Sequence, residues 1–296
     1  MTEYLFPASI EEALVSLVAH DGRARLIAGG TDVMPDLRRG RIRPDCLVDI
    51  TRIPGLNQIA VVDGWVEVGA AVTFAALQGA PFMIQNVHAL VEAAASVGAL
   101  GIQHAATWVG NIVQAMPAAD GAVVALALAA EARVVDAEGA SWLAVETLFR
   151  GPGVSAVDPS RQIVSHLRFP APSLARGYGT AWRRVGRRAS LVLPILNCAV
   201  MVCLDEAGAC IRRAAVALGP VAPRPFRAQQ CEAFLLGQSP TAEVFAQAAR
   251  IAQSESKPRS SVMRASREYR QTIVPVMVGE ALATAAGRAR SQSLED

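Results

Sequence analysis

Arg23-Ala-Arg-Leu-Ile-Ala-Gly-Gly-Thr-Asp-Val-Met-Pro35 reads as a short buried strand, a two-glycine turn and the first turn of a helix. Leu26, Ile27 and Ala28 suit the strand, the break falls at Gly29-Gly30, and Thr31 or Asp32 can cap a helix that takes Pro35 in its first turn. Glycines let consecutive backbone N–H groups turn inward with no Cβ in the way, and a helix N-terminus adds partial positive charge. A phosphate oxygen is the natural occupant. The other reading is an ordinary strand-to-helix turn with nothing bound, since paired glycines are common punctuation.

Outward from this stretch, 296 residues at 52% hydrophobic content allow one large core or two to three modest ones, so about two folded domains are expected. The longest strongly apolar run, Gly121 to Ala130, falls well short of the roughly 18 residues of a membrane span, and Met1 to Pro7 has no basic region. A cytoplasmic protein without a membrane span is therefore expected. A net charge of +2, with bases and acids interspersed, gives no reason to expect nucleic-acid binding. Lys257 is the single lysine and sits in a polar loop, which argues against Schiff-base chemistry and against a Gly-x-x-x-x-Gly-Lys phosphate loop. Five cysteines show no Cys-x-x-Cys spacing, and four histidines lie far apart in sequence, so neither a disulfide framework nor an iron–sulfur site is supported. No metal bound by this chain is expected.

Ser9 is read as the cap of a first helix that ends near Asp21-Gly22, and Cys46 to Ile50 as a strand, giving a small α/β layer with at least one parallel pair. Strands Gln58–Val62 and Trp65–Gly69 follow, joined by the Asp63-Gly64 hairpin signal, with helices at Thr73–Gln78 and Asn86–Val97. Gly98 to Asn111 reads as an irregular, small-residue segment. Gly121–Ala130 is apolar all round and so a buried helix, which places the preceding loop, with Asp120 at the helix cap, near the middle of the protein. That loop either lines a polar ligand or is a packed connector. Ile163 to Phe169 alternates as a strand, and a domain boundary is placed just after Pro172. The remainder reads as strands at Ile195–Leu204 and Cys210–Leu218, then helices at Gln229–Leu236, Thr241–Gln253 and Ser266–Arg288.

Six stretches, in this order, resemble the FAD-binding medium subunit of the molybdenum hydroxylases, the xanthine dehydrogenase and carbon monoxide dehydrogenase family. They are Ala28-Gly-Gly-Thr-Asp32, Val68-Gly-Ala-Ala-Val-Thr73, Gly101-Ile-Gln-His-Ala-Ala-Thr-Trp-Val-Gly-Asn111 with Ala115-Met-Pro-Ala-Ala-Asp120, Arg183-Arg-Val-Gly-Arg-Arg188, Gly219-Pro-Val-Ala-Pro-Arg-Pro225 and Ala265-Ser-Arg-Glu-Tyr-Arg270. The resemblance covers nearly the whole chain. It implies an α+β fold: a two-part FAD-binding domain over 1–172, a small α/β layer to about residue 52 followed by a β-rich subdomain with helices, then a C-terminal α+β domain over 173–296 with a small antiparallel sheet and helices.

It further implies an electron-transfer subunit and an oxidoreductase with no catalytic acid, base or nucleophile of its own. Its partners would be a large molybdopterin-binding subunit and a small subunit carrying two 2Fe–2S clusters, in a dimer of heterotrimers, and FAD would pass electrons to an acceptor that the sequence does not name. Carried over residue by residue, the FAD-binding positions are Leu26, Ile27, Ala28, Gly29, Gly30, Thr31, Asp32, Val33, Ala70, Ala71, Thr73, Val97, Gly98, Ala106, Thr107, Gly110, Asn111, Val113, Gln114, Ala119, Asp120, Ile163, Val164 and Arg183. Gly29, Gly30 and Gly110 would turn N–H groups to the pyrophosphate, with Thr31 and Asn111 as side-chain partners. Asp120 is either a helix cap or a partner of the ribityl chain or flavin. The chain departs from the family pattern at Trp108 and Val109, where a small apolar residue and a glycine are usual, at Arg183 for a lysine, and at Ser190 for an acidic residue. With no cysteine between Cys46 and Cys198, the subtype with an extra iron–sulfur insertion is disfavoured. The rival reading, a flavin-free scaffold, rests on Val109. A Rossmann-type nicotinamide domain fails because no Gly-x-Gly-x-x-Gly follows a strand.

Overall fold

A computed structural model describes residues 2–172, 177–188, 191–262 and 264–291. The first unit is a parallel three-stranded sheet, β1 (Glu3–Leu5), β3 (Cys46–Asp49) and β2 (Ala24–Ile27), with β3 in the centre. Helix α1 (Ile10–Ala19) starts as the sequence dictates: the Ser9 hydroxyl accepts from the Glu12 N–H at 3.2 Å. Ala13, Leu14 and Leu17 form its buried face. Helix α2 (Val33–Arg38) has Asp32 at its N-cap in a helical conformation with no side-chain capping bond, so neither Thr31 nor Asp32 plays the capping role expected.

A five-stranded antiparallel sheet follows, in the order β4 (Ile59–Val62), β5 (Trp65–Gly69), β10 (Ile163–Pro170), β6 (Glu131–Asp136) and β7 (Gly139–Ala144), with a separate two-stranded ribbon of β8 (Phe149–Gly151) and β9 (Val154–Ser155). Asp63 and Gly64 both take positive φ, 48° and 79°, the geometry a two-residue hairpin needs. Between β5 and β6 the chain is helical: α3 (Phe74–Gly79), α4 (Pro81–Asn86), α5 (His88–Ser96), α6 (Leu100–Ala105), α7 (Trp108–Val113) and α8 (Asp120–Ala127).

This corrects the expectation of an irregular segment from Gly98 to Asn111, which contains two short helices. Thr107 caps the second of them through its hydroxyl, and Trp108, far from being small, is fully buried. Helix α8 is buried along its whole length, as its apolar sequence requires.

The C-terminal part is a four-stranded antiparallel sheet, β11 (Tyr178–Val185), β12 (Leu196–Leu204), β13 (Ile211–Gly219) and β14 (Phe226–Arg227), covered by α9 (Gln229–Leu235), α10 (Ala242–Glu255) and α11 (Arg267–Ser291). One hydrophobic core lies under these helices, a second fills the N-terminal part and takes in Trp182, Ala199 and Ala217 from the C-terminal sheet, and a small third one is formed by Tyr178, Met201 and Ala215. Helix α8 makes this junction by packing on β12 and β13. Among the described residues no helix is long and apolar enough to cross a membrane.

Candidate functional site

Three backbone segments meet where β2 ends. A Cβ built on Gly29 would lie 1.9 Å from the Ala105 carbonyl oxygen and 2.9 Å from the Ala106 Cα, so only glycine allows the turn to approach the end of α6. Gly30 takes φ +65°, which turns the chain into α2. The 70–74 segment is stitched to the same place: the Phe74 N–H donates to the Ala106 carbonyl, the Trp108 N–H to the Val72 carbonyl, and Thr73 bridges Thr107. Among the described residues, the backbone N–H groups of Gly29, Gly30, Thr31, Asp32 and Val33 form no hydrogen bond within the chain. Five successive unpaired donors on a glycine turn make a concavity for anionic oxygens.

Beside this turn runs a cleft of about 320 Å³, lined by Asp32, Val97, Gly98, Asn111, Gln114, Met116, Ala118, Ala119, Asp120, Arg184 and Leu191–Leu193. The C-terminal part closes one side, with the Leu191 N–H donating to the Gly98 carbonyl at 3.0 Å. At the bottom, Asp120 Oδ1 accepts from Asn197 Nδ2 at 2.5 Å, and its Oδ2 lies 3.5 Å from Arg184 Nε. Burial pushes the Asp120 carboxyl up to about 6, against the opposing pull of Arg184 and the Asn197 hydrogen bond. Burial, with Asp36 nearby, also raises Asp32.

Of the positions singled out in the sequence, Asp32, Val97, Gly98, Asn111, Gln114, Ala119 and Asp120 line the cleft. Leu26, Ile27, Ala28, Gly29, Gly30, Thr31 and Val33 build the donor turn, while Ala70, Ala71, Thr73, Ala106 and Thr107 hold the segments packed against it. Val113 packs against the core, and Ile163 and Val164 are core residues of β10 that do not line the cleft.

Three roles change. The Gly110 N–H is taken by the Thr107 hydroxyl at 3.0 Å, so it does not serve as a free anion donor. Asp120 is not a cap: Ala119 holds that position, and the carboxylate reaches across to the C-terminal sheet. Arg183 points away from the cleft, its guanidinium bonded to Thr284 at 2.6 Å and 3.6 Å from Glu280; Arg184, the next residue on the strand, is the one that faces it. Consecutive strand residues face opposite sides, and adjacent arginines give no clue to which faces inward. The Ser190 departure lies outside the described residues.

Sequence reasoning missed Met116, Ala118, Arg184 and Leu191–Leu193. The first three stand within quoted motifs. The three that follow the Arg-rich run carried no signal, because only folding brings them opposite Gly98.

Comparison with known proteins matches residues 1–172 to the model of the FAD binding domain in molybdopterin dehydrogenase, and residues 181–285 to that of the CO dehydrogenase flavoprotein C-terminal domain. The chain is 33% identical, over 97% of its length and 95% of the relative's, to the 6-hydroxypseudooxynicotine dehydrogenase complex subunit alpha of Paenarthrobacter nicotinovorans. It is 27% identical to the carbon monoxide dehydrogenase medium chain of Hydrogenophaga pseudoflava, over 97% of both chains. The solved structure of carbon monoxide dehydrogenase from that organism superimposes with a TM-score of 0.89 at 28% identity, covering 97% of this chain and 98% of that one.

Proposed function

Because this chain belongs to the FAD-binding medium subunits of the molybdenum hydroxylases, we propose that it receives electrons from iron–sulfur clusters of a small partner subunit and delivers them through FAD to an external acceptor. A large molybdopterin subunit would oxidise the substrate, in a cytoplasmic dimer of heterotrimers. The chain would divide at Pro172 into an FAD-binding and a C-terminal domain. The observation that carries the reading is the run of five unpaired N–H groups from Gly29 to Val33 opening beside an apolar-walled cleft.

The residues present fit FAD. The donor turn suits a pyrophosphate, and Gly29 and Gly30 allow its shape, since a Cβ would meet Ala105 at the first and Ile27 and Met34 at the second. Asn111 Oδ1, buried and without a partner, is an acceptor suited to a sugar or ribityl hydroxyl. Val97, Met116 and Leu191–Leu193 offer apolar surface to a flat ring. When bound, FAD supplies the two-electron to one-electron redox chemistry. Arg184 and Asp120 set the local charge: the pair is close to neutral when Asp120 is ionised and net positive when it holds a proton, and with a carboxyl near 6 that proton is exchangeable near neutral pH.

The scaffold reading loses its ground, because Val109 is a core residue of α7 that does not line the cleft. The test is flavin content of the purified chain or complex. One FAD per chain is expected, and a preparation that stays colourless after incubation with excess FAD would restore the scaffold reading. The isolated chain should hydroxylate no substrate; hydroxylation in a preparation free of partner subunits would overturn the proposal.

A further inference from the structure

We infer that Glu3, His20 and Cys46 form a binding site for a single divalent cation of the zinc class, outside the flavin cleft. The three residues were unremarkable in the sequence because they are far apart in it. The fold brings them together: Glu3 and Cys46 are register partners on the parallel strands β1 and β3, and His20 is the C-cap of α1, which packs on β3. Their ligand atoms all lie within 4.8 Å of one another. None of the three lines the cleft.

The tautomer of His20 supplies an independent argument. Its Nδ1 lies 2.7 Å from the Ser16 carbonyl oxygen, which can only accept, so Nδ1 carries the proton. In the neutral ring Nε2 is then a bare acceptor, and it sits 3.6 Å from Glu3 Oε2, another acceptor. The lone pair of Nε2 and the Glu3 carboxylate therefore face the same point, where both are free to bond a cation. A carbonyl holding the far nitrogen of a histidine is the arrangement that orients a zinc ligand. The buried Cys46 thiol beside the pair favours the metal, since a sulfur, an imidazole and a carboxylate make a zinc-type donor set.

Zinc bonds sulfur at about 2.3 Å and nitrogen or oxygen at about 2.0–2.2 Å, so the donors must draw slightly inward. The exposed Glu3 side chain has the freedom to do so. Binding would release the thiol proton to solvent, and water would fill the fourth position on the open Glu3 side. The ion would tie β1, α1 and β3 together.

Cobalt(II) is the probe, added to the purified chain with its flavin in place and followed by difference spectra. One equivalent is expected to give tetrahedral visible bands and a near-ultraviolet thiolate-to-cobalt band, both displaced by zinc. Cys46→Ser should abolish the thiolate band. Glu3→Gln, at an exposed position with little folding risk, should weaken cobalt binding at least about tenfold while leaving flavin content unchanged. Zinc should raise the melting temperature of the unmodified chain but not of Glu3→Gln or His20→Ala. A chain that takes up no cobalt at one equivalent overturns the inference, as does a thiolate band that persists in Cys46→Ser or unchanged affinity in Glu3→Gln.

Discussion

A side chain at Gly29 has nowhere to go, because the obstacle 1.9 Å from its Cβ position is backbone rather than a movable side chain. Gly30 is different. A Cβ there meets Ile27 Cδ1 and Met34 Cγ at 3.0 and 3.2 Å, and its φ of +65° costs an L-residue about 1–2 kcal/mol. Gly29→Ala is therefore expected to lose both flavin and stability, and Gly30→Ala to lose 1–2 kcal/mol, about, while keeping part of its flavin. Equilibrium unfolding and bound-flavin absorbance on both variants check the order. At the second loop the pair to compare is Val109→Gly and Gly110→Val. Val109 is buried in α7, so its replacement by glycine should cost about 2–3 kcal/mol through lost burial and helix propensity yet retain flavin. A Cβ on Gly110 meets only the Thr107 hydroxyl, at 2.9 Å, so valine there displaces the cap of α7, the helix that carries Asn111 to the cleft. Loss of flavin is expected; a flavin-replete Gly110→Val chain would show that the cofactor lies elsewhere.

Among the elements, α11 carries Pro275 in its interior and so cannot form the bond from residue 275 to the Gln271 carbonyl. That carbonyl is instead bonded by Gln253 Nε2 of α10 at 2.9 Å. Helix α10 thus supplies the hydrogen bond that α11 lacks, and the packing of the two is tied to the proline. Gln253→Ala should cost about 1 kcal/mol in the natural chain and nearly nothing in Pro275→Ala, where the helix's own N–H is restored. Urea midpoints of the two single variants and the double variant measure the coupling. Additive effects would show that the carbonyl finds another partner.

For the molecule as a whole, the junction of its two parts passes through a buried charge. Asp120 rises from an ordinary 3.8 to about 6 in the folded chain, so the folded state holds its proton more tightly than the unfolded state does. Stability from this group is fully present below about pH 4 and is lost as pH rises through about 6, a change on the order of 2–3 kcal/mol. Asp120→Asn removes the titration but also leaves Arg184 without its partner, which shifts stability by an amount that does not vary over this range. Unfolding of both proteins from about pH 4 to pH 7 should show the natural chain losing stability relative to the variant as pH rises. A constant difference would show that the carboxyl titrates as an exposed one does. Gly219 belongs to the same junction: a Cβ there would lie 2.6 Å from the Pro117 carbonyl and 2.7 Å from Asn197 Oδ1, so the glycine lets β13 dock against the turn before α8.

Local chemistry made much of this legible in advance. Ser9 as a cap, Asp63-Gly64 as a hairpin, the all-apolar α8 and the alternating β10 depend on neighbours in sequence, and the residues themselves state them. The break at Gly29-Gly30 was legible too, because a turn's φ requirements are local, although the residues alone left open whether the turn binds anything. The helices α6 and α7 were not: their small residues and glycines carry weak propensity, and it is the burial of Trp108 and the Val72 and Ala106 carbonyl bonds that hold them. Facing and pairing were also beyond the sequence. Whether Arg183 or Arg184 looks inward depends on strand register, and Asp120 meeting Asn197, or Glu3 meeting His20 and Cys46, is a contact between distant residues that exists only once the chain has closed on itself.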